Sequence, residues 1–547
     1  AATGVTVSDF IAPVHLIPGW LVAVGVAAMA VTYLIAKNRK ALADSIAAQK
    51  TKALFVSIKA RAPNEEKHLV FIVIATLSTS LISTIISAVS LYSVFNVSPI
   101  IVPVISIITF PISIYTSRFF FSNVANLFAS EVMRAHKGEN VRTLSYMNTP
   151  LEASQVKLPT LTIHVPVYNE STDKIIIPTL LSALQEVENY NRVSGGLANI
   201  VVSDDGLMAW TNNEDVNVFT MRAQKTPYEQ RTLAQKEALA RVSFDREYNI
   251  TFVARPWPVQ GITATYRAGV FKKGSNLNYT SRLAERIEQI LKTGVSYAEA
   301  QKAAIQEEDA YRLGHVEGNL RTGEIILFLD KDSIVPAGIS RIMVSEFNDD
   351  EKLAYIQCAS EPTNENENYY TRMIGYITNI YYDVAFTNSV LTGSMVPLVG
   401  HNAYLRKSSL RGHGWWSEDR VSEDLSLEMD FYAQGYHGKY ADLKDMKFGE
   451  AVSNNILDEA RQVTKYAFGA VEIMFNRPGD WLKSGILTKQ MKDFLRSKDI
   501  SIWRKADVLI YKLQILCISA LVVPLIASPF LPVGFYGLFG SLITFMV

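Results

Sequence analysis

The stretch Glu324-Ile-Ile-Leu-Phe-Leu-Asp330-Lys-Asp332 decides the fold of the central part of the chain. An apolar run followed at once by two carboxylates predicts a buried parallel strand whose carboxyl end carries polar groups. Two other apolar runs end in the same way: residues 161–165 lead into Pro166-Val-Tyr-Asn-Glu170, and residues 198–203 lead into Asp204-Asp-Gly206. Ligands of open α/β sheets bind at the carboxyl ends of the strands, so these polar groups should meet at one edge.

Helical patterns separate the predicted strands. Residues 178–191 and 277–292 lie between them and complete a βαβ rhythm, which predicts an α/β domain with a mixed, mostly parallel sheet. Residues 284–323 are polar and rich in Glu and Arg, and we expect them to form an insertion on the sheet outside its core.

Asp330 and Asp332 stand where two carboxylates can bind a divalent cation that also holds a diphosphate. Taken alone, an aspartate pair in an ordinary strand-to-turn junction is the simpler interpretation. Asp204-Asp205-Gly206 has the same alternative, a turn closed by glycine. Because both motifs fall on one sheet edge, the metal-site interpretation becomes the better one.

Two further segments suit a nucleotide. Tyr168 offers an aromatic face and Glu170 a carboxylate, which suits stacking on a base and holding a ribose or a base edge; a helix-capping turn is the alternative. Residues 271–278, Phe-Lys-Lys-Gly-Ser-Asn-Leu-Asn, place two lysines before small residues and amides that could bind a diphosphate, whereas a solvated basic loop is the alternative.

Ser422-Glu423-Asp424 precedes an amphipathic helical run, residues 425–432. An acidic pair at a helix start is often only a favourable cap. A sugar hydroxyl, however, needs a carboxylate base within hydrogen-bond reach, and a helix start is a rigid mount for one. The near copy Ser417-Glu418-Asp419 lacks a helix after it, so we prefer the second motif.

Apolar runs of membrane-spanning length flank this middle region. At 547 residues, 48% hydrophobic and 19% charged, the chain is too long for one core and unusually apolar for a soluble enzyme. A signal peptide is an alternative for the first run, but the run is too long and no small-residue cleavage site follows it. The C-terminal run ends without a polar flank, so we expect further helices beyond it. The predicted spans are 16–36, 69–95, 99–115, 510–529 and the start of another at 533–547.

Charge distribution predicts the topology. Eight Lys and Arg residues against three acidic ones separate the first two runs, whereas the first ten residues carry no Lys or Arg. The predicted protein is therefore a multi-pass integral protein of the plasma membrane with a cytosolic catalytic domain. Its regions are three transmembrane helices in 1–120, the catalytic domain in 121–477, amphipathic interface helices in 478–505 and an incomplete transmembrane region in 506–547.

Cysteine content and net charge exclude other classes. The chain's cysteines, Cys358 and Cys517, fall in the predicted cytosolic middle and in a predicted span, so no disulfide framework is expected. Lys and Arg balance Asp and Glu at 53 each, which gives no reason to propose nucleic acid as a partner.

Together these motifs resemble the processive family 2 glycosyltransferases, which include cellulose, chitin and hyaluronan synthases. The resemblance covers residues 155–475 by motif and the flanking runs by layout. It implies a GT-A domain on the cytosolic face of a transmembrane channel. It also implies an enzyme that uses Mg²⁺ or Mn²⁺ to polymerise a UDP-sugar onto a growing glycan with inversion, and leaves room for a homo-oligomer or an accessory subunit.

The resemblance also implies roles for individual residues. The predicted nucleotide-sugar residues are Tyr168, Glu170, Asp204, Asp205, Lys273, Asp330, Gln462 and Lys465; the metal ligands are Asp330 and Asp332; the general base is Asp424, with Glu423 beside it; and the acceptor is met by Gly400, His401, Asn402 and Tyr466.

The last motif departs from the family pattern. Cellulose synthases usually have Gln-x-x-Arg-Trp, whereas this chain reads Gln462-Val-Thr-Lys465-Tyr466. Lysine can neutralise a leaving diphosphate only as a point charge, and tyrosine keeps a stacking face. The variant looks similar to a microbial and fungal branch with mixed-linkage (1,3;1,4)-β-glucan synthases. UDP-glucose is therefore the first expected donor and UDP-N-acetylglucosamine the second.

Two other functions remain as alternatives. A non-processive membrane enzyme that loads one sugar onto a lipid would share the donor site. A catalytically silent scaffold or transporter subunit would be expected to lack an aspartate at position 330, 332 or 424, and all three are present.

Overall fold

A computed structural model describes residues 65–93, scattered positions between 102 and 125, and residues 158–512 except 261–272, 309–313, 349 and 444–445. These residues belong to one compact unit, Glu65–Val547. The predicted spans at 16–36 and 533–547, nearly all of 510–529 and most of 99–115 lie outside the described residues.

Within the described residues, ten strands form a large sheet and a small one. In the large sheet the order is β4-β3-β2-β1-β5-β8-β6-β9; β1 runs parallel to β2 and β5, β2 parallel to β3, and β6 parallel to β9, while β4 and β8 are antiparallel to their neighbours. The predicted mixed, mostly parallel sheet is confirmed. The strands are β1 Leu161–Val167, β2 Ala198–Asp204, β3 Thr251–Ala254, β4 His315–Glu317, β5 Ile325–Phe328, β6 Leu353–Cys358, β7 Ser360–Pro362, β8 Ala403–Arg406, β9 His437–Ala441 and β10 Phe448–Glu450, the parallel pair β7 and β10 forming the small sheet.

The described residues form helices, some packed on the two faces of the large sheet and others away from it. They are α1 Glu65–Ser93, α2 Ile177–Ser194, α3 Leu207–Thr211, α4 Val216–Lys225, α5 Leu233–Glu247, α6 Lys273–Leu291, α7 Tyr297–Glu308, α8 Ile339–Ser345, α9 Tyr369–Ile380, α10 Thr387–Leu391, α11 Lys407–His413, α12 Glu423–Ala433, α13 Ile456–Met474, α14 Trp481–Ser484 and α15 Lys489–Arg496. Short π-helical turns occupy Thr172–Ile176 and Tyr381–Phe386, and 3₁₀ turns occupy Tyr228–Gln230 and Pro478–Asp480.

The strand register brings the predicted polar groups to one edge. Val167 at the end of β1 pairs with Asp204 at the end of β2, and Asp204 pairs with Ala254 at the end of β3. On the other side, His164 of β1 pairs with Phe328, two residues before Asp330. The segments that follow β1, β2 and β5 therefore start at the same edge, as the sequence predicts, and the segment after β3 joins them there.

Residues 284–323 are not an insertion outside the core, so that expectation is wrong. Ala284 and Ile287 of α6 are fully buried in a cluster with Val201 of β2 and Val253 of β3. The segment also supplies β4 to the sheet. The helix is polar on average but keeps one apolar face, and that face decides its packing.

The amino-terminal part of the described chain carries one candidate membrane span. Within α1, residues His68–Ile86 have a mean hydropathy of 2.4 and are long enough to cross a bilayer, by length and composition only. The predicted span 69–95 overlaps this helix. Leu69 and Val73 pack with Ile114 and with Ile510 of the helical residues 502–512.

The segment 478–505 is broken into short pieces. Gly485, with φ +79°, separates α14 from α15, and a bend at residues 498–500 separates α15 from the helix that starts at residue 502. Met491 and Phe494 of α15 are fully buried against the catalytic domain, whereas Leu482 of α14 is fully exposed. Contact of this segment with a bilayer stays a prediction.

Candidate active site

Lys273 connects the carboxylate after β5 with the loop before β8. It is the first residue of α6, and its Nζ lies 2.6 Å from Oδ1 of Asp330 and 3.2 Å from the carbonyl oxygen of Gly400. Burial alone would lower the pKa of Lys273, but Asp330, Glu423 and Asp424 raise it above its usual range. The ammonium group is therefore charged and is shared by both ends of the predicted site.

His401 is a second cation beside Asp330. Its Nε2 lies 2.9 Å from Oε2 of Glu450, and its Nδ1 lies 3.1 Å from the carbonyl of Val399 and 3.6 Å from Oδ2 of Asp330. Burial acts to lower the pKa of His401, but the charges of Asp330 and Glu450 outweigh burial and raise it to about 9. The ring therefore donates from both nitrogens at neutral pH.

Asp330 remains ionised in this setting. Burial alone would raise its pKa, yet Lys273 and His401 together hold the pKa of Asp330 below its usual range. An ionised carboxylate between two cations can exchange its ion pairs when a ligand binds. An incoming metal cation could bind the carboxylate, and an incoming diphosphate could bind the two cations.

Asp332 is the other predicted metal ligand. Burial and the charge of Asp330 both raise its pKa, which is the kind of repulsion that a divalent cation relieves. Two neighbouring carboxylates match the oxygen ligands that Mg²⁺ and Mn²⁺ take, with the remaining ligands coming from diphosphate and water. Within the described part of the chain no group of three or more His, Cys, Asp or Glu residues could hold a metal by itself. The residues fit a metal bound jointly with a substrate.

The predicted base lies against the Gly400 loop. Asp424 is in the first turn of α12, and a Cβ added to Gly400 would lie 3.0 Å from Asp424 Oδ2. Gly400 also has φ +77°, a conformation that glycine adopts at little cost. The loop whose carbonyl accepts from Lys273 therefore lies directly beside the Asp424 side chain.

Glu423 is buried next to Asp424. Burial raises the pKa of Glu423 first and the charge of Asp424 second, while Lys273 and Lys465 oppose both. Two adjacent carboxyl groups with different environments suit a site that has to accept one proton.

The helix α13 carries Gln462, Lys465 and Tyr466 to the same side. It packs on the start of α12 at Gly469, where an added Cβ would collide with the Ser422 side chain. The Lys465 charge acts on both Asp330 and Glu423. Gln462 and Tyr466 are exposed, and their contacts with a substrate stay predictions.

Asp204 and Asp205 are each paired with a buried arginine. Oδ1 of Asp204 accepts from the backbone N–H groups of Gly206 and Leu207 at 2.8 and 2.7 Å, and Oδ2 accepts from Arg241 at 2.8 Å. Asp205 forms a two-pronged pair with Arg255, with Nη2 to Oδ2 at 2.9 Å. Both aspartates are buried, so their direct contact with a nucleotide stays a prediction.

The turn after β1 is the accessible part of the predicted uridine site. Tyr168 is 46% exposed, and its N–H donates to Oε2 of Glu170 at 2.7 Å. Oε1 of Glu170 lies 3.5 Å from Nζ of Lys331, the residue between Asp330 and Asp332. An ion pair thus connects the segment after β1 with the segment after β5.

Asn402 differs in placement from its predicted partners. Gly400 and His401 lie beside Lys273, Asp424 and Asp330 as described, whereas Asn402 is fully buried with φ +52° and donates to Ser360 Oγ at 2.9 Å. The upstream copy of the acidic motif also lies apart, because Glu418 accepts from Asn278 at 2.8 Å and from Arg282 at 3.0 Å.

Sequence reasoning missed several residues that hold the site. Gln357 is fully buried, accepts from the Val399 N–H at 3.0 Å and donates to the His401 carbonyl at 3.0 Å. Glu450 accepts from Tyr382 as well as from His401. In the sequence, Gln357 and Glu450 stand out only as single polar residues inside or beside apolar runs, and no motif marks them as part of the site.

The carboxyl-terminal part of the chain, which carries much of this site, is similar to a known family. Residues 325–547 match the model of the family described as glycosyl transferase family group 2. The match contains Asp330, Asp332, Gly400, Asp424 and Lys465 and starts at the first residue of β5.

Two curated relatives match over shorter stretches. The poly-β-1,6-N-acetyl-D-glucosamine synthase of Staphylococcus aureus (strain COL) is 25% identical over 124 residues, which is 22% of this chain and 29% of that protein. The β-monoglucosyldiacylglycerol synthase of Trichormus variabilis is 28% identical over 109 residues, 20% of this chain and 23% of that protein. The chain thus spans less than a third of the length of these relatives.

Among solved structures, a mannosyltransferase from Pyrobaculum calidifontis in complex with GDP-Man and Mn²⁺ is similar with a TM-score of 0.40 and 15% identity, covering 79% of this chain and 90% of that one. The sheet order and the family match agree with the expected GT-A fold. Residues 325–547 are therefore similar to glycosyl transferase family group 2, and at this level the predicted class of enzyme, a glycosyltransferase, is confirmed.

Proposed function

We propose that the chain is an inverting, processive polysaccharide synthase that transfers glucose from UDP-glucose to a growing β-glucan and passes the product across the plasma membrane. One observation carries the proposal: the Lys273 ammonium group binds both Asp330 at the donor end and the carbonyl of Gly400, a residue that lies directly beside the Asp424 side chain. A donor diphosphate at Asp330 and an acceptor hydroxyl at Asp424 would therefore lie on either side of one lysine.

The chemistry follows from that arrangement. Asp424 takes the proton of the acceptor hydroxyl, whose oxygen forms the new bond to C1 of the donor sugar while the bond from C1 to the phosphate oxygen breaks. UDP leaves with the bond's electron pair, and the charges of Lys273 and Lys465 stabilise it. Asp330 and Asp332 would hold Mg²⁺ or Mn²⁺, which supplies further positive charge to the diphosphate when bound. A single displacement inverts the anomeric carbon.

The membrane part of the proposal rests on the apolar runs. The helix His68–Ile86 is long and apolar enough to span, and the charge of the segment before it favours a cytosolic catalytic domain. Leu69 and Val73 of this helix pack with Ile510, at the start of a predicted carboxyl-terminal span. This packing supports predicted spans that gather beside the catalytic domain, as a channel requires.

Two alternatives are favoured by the relatives. The name of the Staphylococcus aureus protein states a polymer of N-acetylglucosamine, so UDP-N-acetylglucosamine is the second donor to test. The name of the Trichormus variabilis protein states a glycolipid product, which favours a lipid acceptor as the second function.

Turnover by the full chain in lipid nanodiscs tests these proposals. UDP-glucose and UDP-N-acetylglucosamine are offered separately with Mg²⁺ or Mn²⁺, and the radiolabelled product is sized and extracted. A glucose polymer that a mixed-linkage or (1,3)-specific glucanase digests supports the β-glucan proposal. Label in the lipid extract, with no polymer from either donor, replaces it with the lipid-acceptor function, and a polymer of N-acetylglucosamine replaces the donor.

A further inference from the structure

Arg241 is a fully buried cation outside every motif of the sequence. It lies on α5, and its guanidinium group contacts two strand-end segments at once. Nη1 donates to the carbonyl of Tyr168 at 3.1 Å and to Oδ2 of Asp204 at 2.8 Å, while Nη2 donates to the carbonyl of Glu170 at 3.0 Å. The group also lies over the ring of Trp210, 4.5 Å from its centroid.

These contacts fix the backbone of the turn that holds Tyr168 and Glu170. The turn after β2 comes so close that a Cβ on Gly206 would collide with the Tyr168 carbonyl oxygen. Trp210, which stacks on Arg241, also donates from its indole N–H to Asn169 Oδ1 at 2.9 Å. All three residues of the turn are therefore tied to the Arg241 side, although Tyr168 itself stays half exposed.

The charge balance explains why an arginine stands here. The Asp204 carboxylate is 1% exposed and would be costly to bury without a cation. A planar guanidinium group can satisfy this carboxylate and two carbonyls in fixed directions, whereas a lysine is a point charge with a different reach. The exposed Arg246, on the same helix, pairs instead with Glu317 at the surface.

We propose that Arg241 is a positioning residue for nucleotide recognition, which holds the Tyr168–Glu170 turn in the shape that binds the nucleoside part of the donor. The proposal rests on the proposed function, because it assumes that this turn receives the uridine of a UDP-sugar. Arg241 itself touches no substrate, and it acts through the backbone of the turn.

Arg241→Lys tests the proposal in the full chain, with Arg246→Lys as the matched control on the same helix. The Kd of UDP is measured by calorimetry, and inorganic pyrophosphate is measured as a competitor of the donor. We expect the Kd of UDP to rise about tenfold in Arg241→Lys, which corresponds to the loss of one good hydrogen bond. Pyrophosphate inhibition should stay unchanged, because Lys273 and Asp330 are untouched, and Arg246→Lys should behave as the wild type.

The outcomes separate this inference from the proposed function. A wild-type chain that binds no UDP refutes the function itself. A wild-type chain that binds UDP, with an Arg241→Lys variant of equal affinity, overturns the positioning role, as does a parallel loss of UDP and pyrophosphate binding. If Arg241→Lys does not accumulate, Trp210→Phe is the second variant, because it keeps a ring over the guanidinium group and removes the hydrogen bond to Asn169. The Kd of UDP should rise about threefold in this variant. An unchanged Kd would count against the proposal.

Discussion

Replacing Asp424 by asparagine should separate catalysis from nucleotide binding. The substitution keeps the shape of the side chain at the contact with Gly400, and an amide oxygen can still accept the Leu425 N–H that Oδ1 now accepts at 2.8 Å. The fold of α12 should therefore survive. What disappears is the group that takes the acceptor's proton.

The magnitude follows from that loss. A positioned general base accelerates a reaction by about 10²- to 10⁴-fold, so the rate of sugar transfer should fall by that factor. This loss corresponds to an activation free energy that is about 3 to 5 kcal/mol higher. The pair between Asp330 and Lys273, which belongs to the donor side, keeps its 2.6 Å contact. UDP affinity should then change by no more than about threefold, under 1 kcal/mol.

The assay compares initial rates of UDP release with calorimetric UDP binding for Asp424→Asn and for Asp419→Asn. Asp419 is the equivalent residue of the upstream copy, where it accepts from Ser417 at 2.7 Å, and its loss should leave both quantities unchanged. A loss of UDP affinity as large as the loss of rate would refute the assignment of Asp424. Equal damage from Asp419→Asn would show that the wrong copy was chosen.

Three further outcomes are expected. Gly469→Ala should lower kcat at least tenfold and reduce the free energy of unfolding by about 1–3 kcal/mol, because the new Cβ collides with Ser422. Gly412→Ala is the control, since a Cβ added there meets no atom within 4 Å. Equal behaviour of the two variants would contradict the packing argument. Burial raises the pKa of Glu428 to about 7, against opposing effects of Lys512 and the Leu398 N–H and with the help of Asp424. The folded state thus binds more protons than the unfolded state between pH 4.5 and 7, so the free energy of unfolding should fall by about 3 kcal/mol as pH rises through this window. Thermal melts of Glu428→Gln at a series of pH values should lack that fall. If the variant and the wild type show the same pH profile, Glu428 is not its source. Chelation with excess EDTA should abolish transfer and Mg²⁺ or Mn²⁺ should restore it, whereas full turnover in EDTA would remove the metal from the proposal.

The sequence predicts the sheet edge well because the signal there is local. The run 325–329 followed by Asp330 is a strand with its functional group attached, and the same holds for the segments after β1 and β2. Ser422-Glu423-Asp424 was separated from its copy by the helix that follows it, and α12 does begin at Glu423. In each of these cases the residue and its mount are neighbours in the chain.

The residues that hold the site could not be predicted because their partners are distant. Arg241 lies 37 positions from Asp204, and Arg255 lies 50 positions from Asp205. An arginine in a polar helix gives no sign of which carboxylate it will meet. The expectation for segment 284–323 was wrong for a related reason, because the polar average of the segment hides buried apolar residues such as Ala284 and Ile287.

Two glycines determine how the donor and acceptor halves of the site fit together. Gly400 lets a loop approach Asp424, where an added Cβ would lie 3.0 Å from the side chain. Gly469 lets α13 approach Ser422, where an added Cβ would collide, so the start of α12 lies between two close contacts. The same Gly400 offers its carbonyl to Lys273, which holds Asp330. Movement of the Gly400 loop would therefore shift the lysine and the base together.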